Sequence, residues 1–329
     1  MLIDVEFNSR AVYPPSGIIE ASRLAEQKGF SAVWEGEANN KDPIVLMSAV
    51  ASHTTRIQVG TFVTHIFART PVTTGIMAAT LDELSGGRFL CGIGCSNPTI
   101  AGWHGLEYDA PLRRIEEYID IFRKVIRQEK LQYQGKKYSS KGFRLPFTPI
   151  RKDIPVYIAA LRPRMTALAG KLSDGVMITL GTPDHVREQV AQMRQAAEEA
   201  GRDPQSLEVI VEVMCCMNGD LKLAEAPLKE ACTFYGLADF YGDMFAREGF
   251  ADEIEAMRAS YRKGGFRAAL AQISDEMLLR LPVVAATNTD QIRRRLDDYE
   301  AAGATRVILA YTPVTNDPTT EVLQFLQGW

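Results

Sequence analysis

RIQVGTFVTHIFARTPVTTGIMAATLDELSGGRFLCGIGCSN, residues 56–97, reads as strand, loop, helix, strand and loop. Apolar, β-branched runs at 57–59 and 89–93 bracket residues 72–84, whose apolar side chains recur at helical spacing. Two consecutive strands joined by one helix must be parallel, and the crossover right-handed. In such units ligands meet the carboxyl ends of the strands. Here those ends are TFVTH, residues 61–65, and GCSN, residues 94–97. Pro71 is placed to open the helix, where a missing N–H costs nothing. Gly94 lets a ligand approach the backbone.

The same alternation continues outward from this unit. Strands are expected over 2–7, 32–34, 154–160, 175–179, 207–214 and 306–311, and helices over 17–28, 43–53, 111–129, 163–172, 184–200, 291–302 and 319–326. Ser16 is a plausible N-cap for the first helix. Residues 98–110 read as irregular loop, and 131–145 as an inserted hairpin turning at Gly135-Lys136. Residues 220–281 keep helical spacing, broken by Gly236, Gly242, Gly249 and Gly264-Gly265. No glycine-rich dinucleotide fingerprint follows the first strand, so eight strands with their helices point to an α/β fold of the (β/α)8 TIM-barrel type rather than a doubly wound sheet. It is expected as one domain over 1–329, with an all-helical insertion between strands seven and eight.

Composition narrows the function classes. Of 329 residues, 46% are hydrophobic and 24% charged, as in ordinary folded proteins, and the formal net charge of -4 gives no basic footprint for nucleic acid. Five cysteines form no CxxC pair, which suits reduced thiols, and vicinal Cys215-Cys216 reads as strand packing. The chain opens directly on an apolar strand, and no stretch reaches the roughly 18 apolar residues of a membrane helix; a cytoplasmic protein with no membrane partner is expected. The four histidines are scattered, with no HExxH and no G-x-S-x-G elbow, so no metal site is expected.

The runs GTFVTHIFARTP and LDELSGGRFLCGIG resemble the third and fourth βα units of the bacterial-luciferase-like flavin and deazaflavin oxidoreductases. Within them the chain is most similar to the methylenetetrahydromethanopterin reductases, with a G-x-x-V-T strand end, an R-x-P helix start and an L-D-E-L-S-x-G-R turn. IDVEF at 3–7, EANNKDP at 37–43, IPVYIAALRPRMTALAGKLSDGVMI at 154–178 and VILAYTP at 307–313 extend the likeness over nearly the whole chain.

Site expectations follow from residues and resemblance together. Glu6, near the carboxyl end of strand one, is either paired with a structural cation or protrudes into a ligand cavity; the resemblance implies a catalytic role near substrate. Where the family usually has Asp-His this chain has Glu37-Ala38, so a histidine acid-base role is absent. Glu37 and Asn39 become polar wall candidates, with Glu37 a second candidate catalytic group. Phe62-Val63 falls where the family carries a non-prolyl cis peptide that backs the cofactor ring, followed by Thr64 and His65. Gly94, Cys95, Ser96 and Asn97 would line the ribityl side. Ala160, Leu161 and Arg162 resemble the family's phosphate loop, and a helix N-terminus there independently suits an anion, with Arg164 adding charge. Thr179, Leu180, Gly181 and Thr182 form a second such turn.

The resemblance implies an oxidoreductase moving a hydride between C5 of coenzyme F420 and an organic electrophile, with a methylene tetrahydropterin as the substrate if the likeness holds down to the substrate. An FMN-dependent monooxygenase is the alternative, and a non-catalytic flavin-binding barrel a third reading. Helices two (Ile44, Val45, Met47, Val50) and three (Val72, Ile76, Met77, Leu81) are apolar over more than one face, so a homodimer through them is expected.

Overall fold

In the computed structural model, which describes residues 1–7 and 11–329, β1 (Leu2–Phe7), β2 (Ala32–Glu35), β3 (Gln58–Thr61), β5 (Phe89–Gly94), β8 (Val156–Ala159), β9 (Gly175–Thr179), β10 (Glu208–Met217) and β12 (Arg306–Tyr311) close into a parallel barrel. β1 lies between β2 and β12, and β9 pairs with β10 to complete the ring. The short β4 (Thr64–His65) continues β3 along β5 after an interruption at residues 62–63.

Helices α1 (Pro15–Gln27), α2 (Pro43–His53), α3 (Pro71–Ser85), α4 (Pro98–Trp103), α5 (Pro111–Ile126), α6 (Pro163–Leu172), α7 (Pro183–Glu199) and α13 (Pro318–Gln327) each begin with proline, whose fixed φ is preorganised for the first helical turn. This marker corrects two readings. Ser16 is not an N-cap, because Pro14 holds that position and α1 starts at Pro15. Residues 98–110 are not all loop, because Asn97 accepts the Ile100 N–H at 3.1 Å and caps α4.

The antiparallel pair β6 (Gln132–Gln134) and β7 (Ser139–Lys141) is pinned to α5 by Glu117, whose carboxylate accepts the backbone N–H groups of Lys136, Lys137 and Tyr138 at 2.8–2.9 Å. Beyond β10 come α8 (Leu221–Leu237), α9 (Asp239–Phe245), a π turn at 246–250, α10 (Ala251–Leu270) and α11 (Asp275–Arg280). Gly249 and Gly265, at φ 98° and 71°, take the left-handed conformations that kink this run. A strand absent from the sequence reading, β11 (Val283–Ala286), pairs with the end of β10 and precedes α12 (Thr289–Ala301). It is four residues long and directly follows a helix, too short for its own periodicity to register.

The barrel interior is filled, not hollow. Trp34, Leu90, Tyr157, Met177, Ile210 and Ile308 pack together inside it. A Cβ at Gly60 would lie 2.3 Å from the Trp34 ring, so glycine there makes room for the indole. Below, Asp4 accepts from Trp34 Nε1 at 2.8 Å and Arg306 Nη1 at 2.9 Å, while Arg306 Nη2 donates to Gln58 at 2.9 Å. A cation and an anion this deeply buried each need the other, since an unpaired buried charge costs several kcal/mol, of order 3–5. The packed floor leaves the carboxyl end as the place where inward side chains meet a ligand.

The outer core takes the opposite faces of the strands. Met47, Val50 and Leu81 belong to it, whereas Val45 and Ile76 are 69% and 39% exposed, so only part of the apolar arc on α2 and α3 faces outward.

Candidate active site at the carboxyl end of the barrel

Side chains alternate along a strand, so Glu6 shares the inward face of β1 with Asp4, and Glu212 shares that of β10 with Ile210. Both are buried, at 4% and 7% exposure, and Oε2 of each has no hydrogen-bond partner. Burial, then the charges of Glu212 and Glu35, hold the Glu6 carboxyl well above the usual range. Burial lifts Glu212 to about 7 against a hydrogen bond from Thr179. Glu35, last in β2, is raised to about 8 by burial, opposed by the Gly36 N–H and the Lys41 charge. Among the described residues none of the three carboxyls has a bonded cation; burial raises each of them, and at Glu6 the charges of Glu212 and Glu35 add to it.

Glu212 and Glu35 were not singled out by sequence reasoning. The available signal was an acid at an inward position of the apolar run EVIVEVMCCM.

Glu37 is differently placed. Its Oε2 accepts the His65 backbone N–H and its Oε1 the Arg69 Nε, both at 2.8 Å, and Arg69 also reaches Asp42. Both oxygens are thus engaged, and the contact ties the loop after β2 to β4 and the start of α3. Asn39 is exposed in the same loop.

The Phe62–Val63 peptide is cis. Phe62 and Val63 pack on the barrel interior, and the Phe62 N–H donates to the Glu35 carbonyl at 2.9 Å. Next come Thr64, fully buried with Oγ1 unpartnered, and His65, 1% exposed with Nε2 unpartnered. Burial and the neighbouring His104 lower the His65 imidazole to about 4.

Gly94 faces this turn, and a Cβ there would come within 2.5 Å of Val63 Cγ2. Cys95 is drawn into the outer core, its thiol directed at the Pro111 carbonyl at 3.6 Å, so its side chain does not line the mouth. Ser96, at φ 54°, and Asn97 are exposed, the latter occupied in capping α4.

Two helix N-termini complete the rim. Ala160 is buried, Leu161 touches both the outer core and the cluster formed with α8 to α11, and Arg162 precedes Pro163 at the start of α6 without capping it. The Arg162 guanidinium lies over the Phe240 ring of α9 at 4.4 Å. Arg164 lines a groove of about 400 Å³ between α5 and α6. Thr179, the last residue of β9, is followed by Leu180 at φ 57° and by Gly181, and Thr182 caps α7 by accepting from His185 N–H at 3.2 Å.

Leu180, Met214 and Ala310 of the rim share a cluster with the helices after β10. Tyr241 of α9 packs against it, and the Glu212 carboxyl adds to burial in raising its phenol. Sequence reasoning missed Tyr241, whose spacing is that of any helical aromatic.

Buried polar atoms nearly always have partners. Here Glu6 Oε2, Glu212 Oε2, Thr64 Oγ1 and His65 Nε2 lack them at one end of the barrel, between glycine-backed turns. This suits a flat ligand with hydrogen-bonding edges and an anionic tail toward the helix N-termini. Among the described residues no group of three His, Cys, Asp or Glu side chains is placed to hold a metal, and no helix is long and apolar enough to cross a membrane.

The sequence profile of the luciferase-like monooxygenases matches residues 5–306. This chain belongs to that family. Within it, the chain is similar to a Mycobacterium tuberculosis protein whose name proposes a coenzyme F420-dependent oxidoreductase, at 29% identity over 94% of each chain. It is also similar to the 5,10-methylenetetrahydromethanopterin reductase of Methanolobus tindarius, at 28% identity over 90% of each. Among solved structures, the coenzyme F420-dependent tetrahydromethanopterin reductase of Methanopyrus kandleri superposes with a TM-score of 0.87 at 23% identity, covering 99% of this chain and 97% of that one. The last likeness establishes the luciferase-like TIM-barrel fold.

Proposed function

We propose that this luciferase-like protein is a coenzyme F420-dependent oxidoreductase acting on an electrophilic carbon of an organic substrate, with a methylene tetrahydropterin as the first candidate. The observation that carries the reading is the uncompensated carboxyl cluster at the mouth, centred on Glu6, beside the cis Phe62–Val63 turn. The names of two relatives support the deazaflavin.

When bound, the deazaflavin supplies or accepts the hydride at C5. The turn at residues 62–65 would back its ring, Gly94, Ser96, Asn97 and the Cys95 backbone would line its side chain, and the starts of α6 and α7, with Ala160 to Arg162 and Thr179 to Gly181, would face its phosphate. Burial and the charges of Glu212 and Glu35 disfavour the Glu6 anion and favour its protonated carboxyl. It can therefore give that proton to a substrate nitrogen released as a carbon–nitrogen bond opens. Glu37 positions the ring-backing turn through His65 N–H and Arg69 instead of exchanging protons. The helices after β10 roof the mouth and exclude water.

FMN is the alternative ligand, in keeping with the family's monooxygenases. Fluorescence titration with each cofactor decides between them. The expected result is tighter binding of F420; tight FMN binding with no measurable F420 binding overturns the proposal.

A further inference from the structure

The structure gives His65 a defined protonation state as well as a place. The Ala68 N–H, which also reaches the His65 carbonyl, lies 3.0 Å from His65 Nδ1. An N–H donor at that distance requires a lone pair on Nδ1, so the neutral ring must carry its proton on Nε2. Nε2 is the atom that is buried and unpartnered.

The surroundings hold this tautomer. The His65 backbone N–H is bound by Glu37, which is itself paired with Arg69. The ring lies 5.8 Å from Phe67 and 5.8 Å from His104, and Phe67 stacks on Tyr108 at 5.0 Å with Arg114 on its other contact at 4.9 Å. A second proton would have to enter at Nδ1, against the Ala68 N–H and beside a second imidazole. A metal ion at Nε2 would force the same displacement, which excludes that use of the ring.

We infer that His65 Nε2–H is a fixed neutral donor awaiting an acceptor, a carbonyl oxygen or an unprotonated ring nitrogen, on the edge of the planar ligand at the mouth. The inference rests on reading the mouth as a flavin or deazaflavin site. His65 is then a positioning residue that selects for an acceptor edge at this point and does so independently of pH across the neutral range.

Long-range 1H–15N spectra of the histidine side chains in the full chain test the first half. The expected result is an Nε2–H signal for His65 that does not titrate between about pH 5.5 and 8. A signal that titrates near the ordinary value, or an Nδ1–H tautomer, overturns the inference whatever the ligand. Binding of FMN and of F420 to His65→Phe and His65→Gln tests the second half. His65→Phe should weaken whichever cofactor the wild type binds by about tenfold, the share of one neutral hydrogen bond. His65→Gln, which restores an N–H near the Nε2 position, should bind within about threefold. Equal binding by wild type and His65→Phe, as when a water bridges His65 to His104, overturns the donor role alone. Binding of neither cofactor by the wild type overturns the flavin-site reading itself.

Discussion

Glu6 of β1 and Glu212 of β10 point into the barrel from the two strands that flank β12, each with one carboxylate oxygen that nothing donates to. The Glu212 charge adds to burial in making the Glu6 anion costly, burial raises Glu212, and among the described residues no bonded cation relieves either. The consequences of this arrangement can be measured.

Glu6→Gln keeps the size of the side chain and removes its proton. Turnover should fall at least about tenfold, as expected for loss of a general acid, with cofactor affinity within a few-fold. Steady-state rates beside a binding titration check this; an unchanged rate returns Glu6 to a packing role.

Glu212→Gln should act on Glu6 through charge. With one anion gone, the Glu6 carboxyl drops toward its usual range, so the alkaline loss of activity moves to lower pH. A pH profile of kcat/KM shows the displacement. A profile identical to wild type would separate Glu212 from the chemistry.

Stability should carry the same signature. A carboxyl raised to about 7 in the folded state binds more protons than its unfolded counterpart, near 4.3, so stability is lost as pH rises between those values. Each such group contributes a slope of about 1.4 kcal/mol per pH unit inside its window. Between pH 5 and 7, wild type should lose more stability than Glu212→Gln in parallel urea titrations; equal slopes would contradict the raised carboxyl.

Arg69→Ala should cost about 2 kcal/mol by leaving the part-buried Glu37 without its cation. Because Glu37 also holds the His65 N–H, cofactor affinity should weaken with it. Chemical denaturation with a binding titration reads both, and a loss of stability at unchanged affinity would detach Glu37 from the ligand turn.

Assembly is the last expectation. Val45 and Ile76, exposed on neighbouring helices α2 and α3, are proposed to meet a second copy. Light scattering should give twice 36.5 kDa, reduced by Val45→Asp. A wild-type mass of one chain at micromolar concentration would rule out a stable dimer.

The barrel was legible in the sequence because its signals are local. Alternating apolar runs, prolines at the expected helix starts 43, 71, 111 and 163, and the motif around residues 61–97 act over a few residues and do not depend on the rest of the chain. Glu6 was legible for the same reason, as an acid in a short apolar strand. The tertiary structure alone decided what the polar residues face. Glu212 meets Glu6 only when the ring of strands closes. Glu37 has both carboxylate oxygens engaged because the His65 N–H and Arg69 fold onto it. Cys95 turns into the core, and His65 acquires its tautomer from a backbone N–H three residues on, presented by a turn that only the closed fold holds in place. Burial, charge repulsion and hydrogen-bond geometry depend on distances in space, which spacing along the chain does not encode.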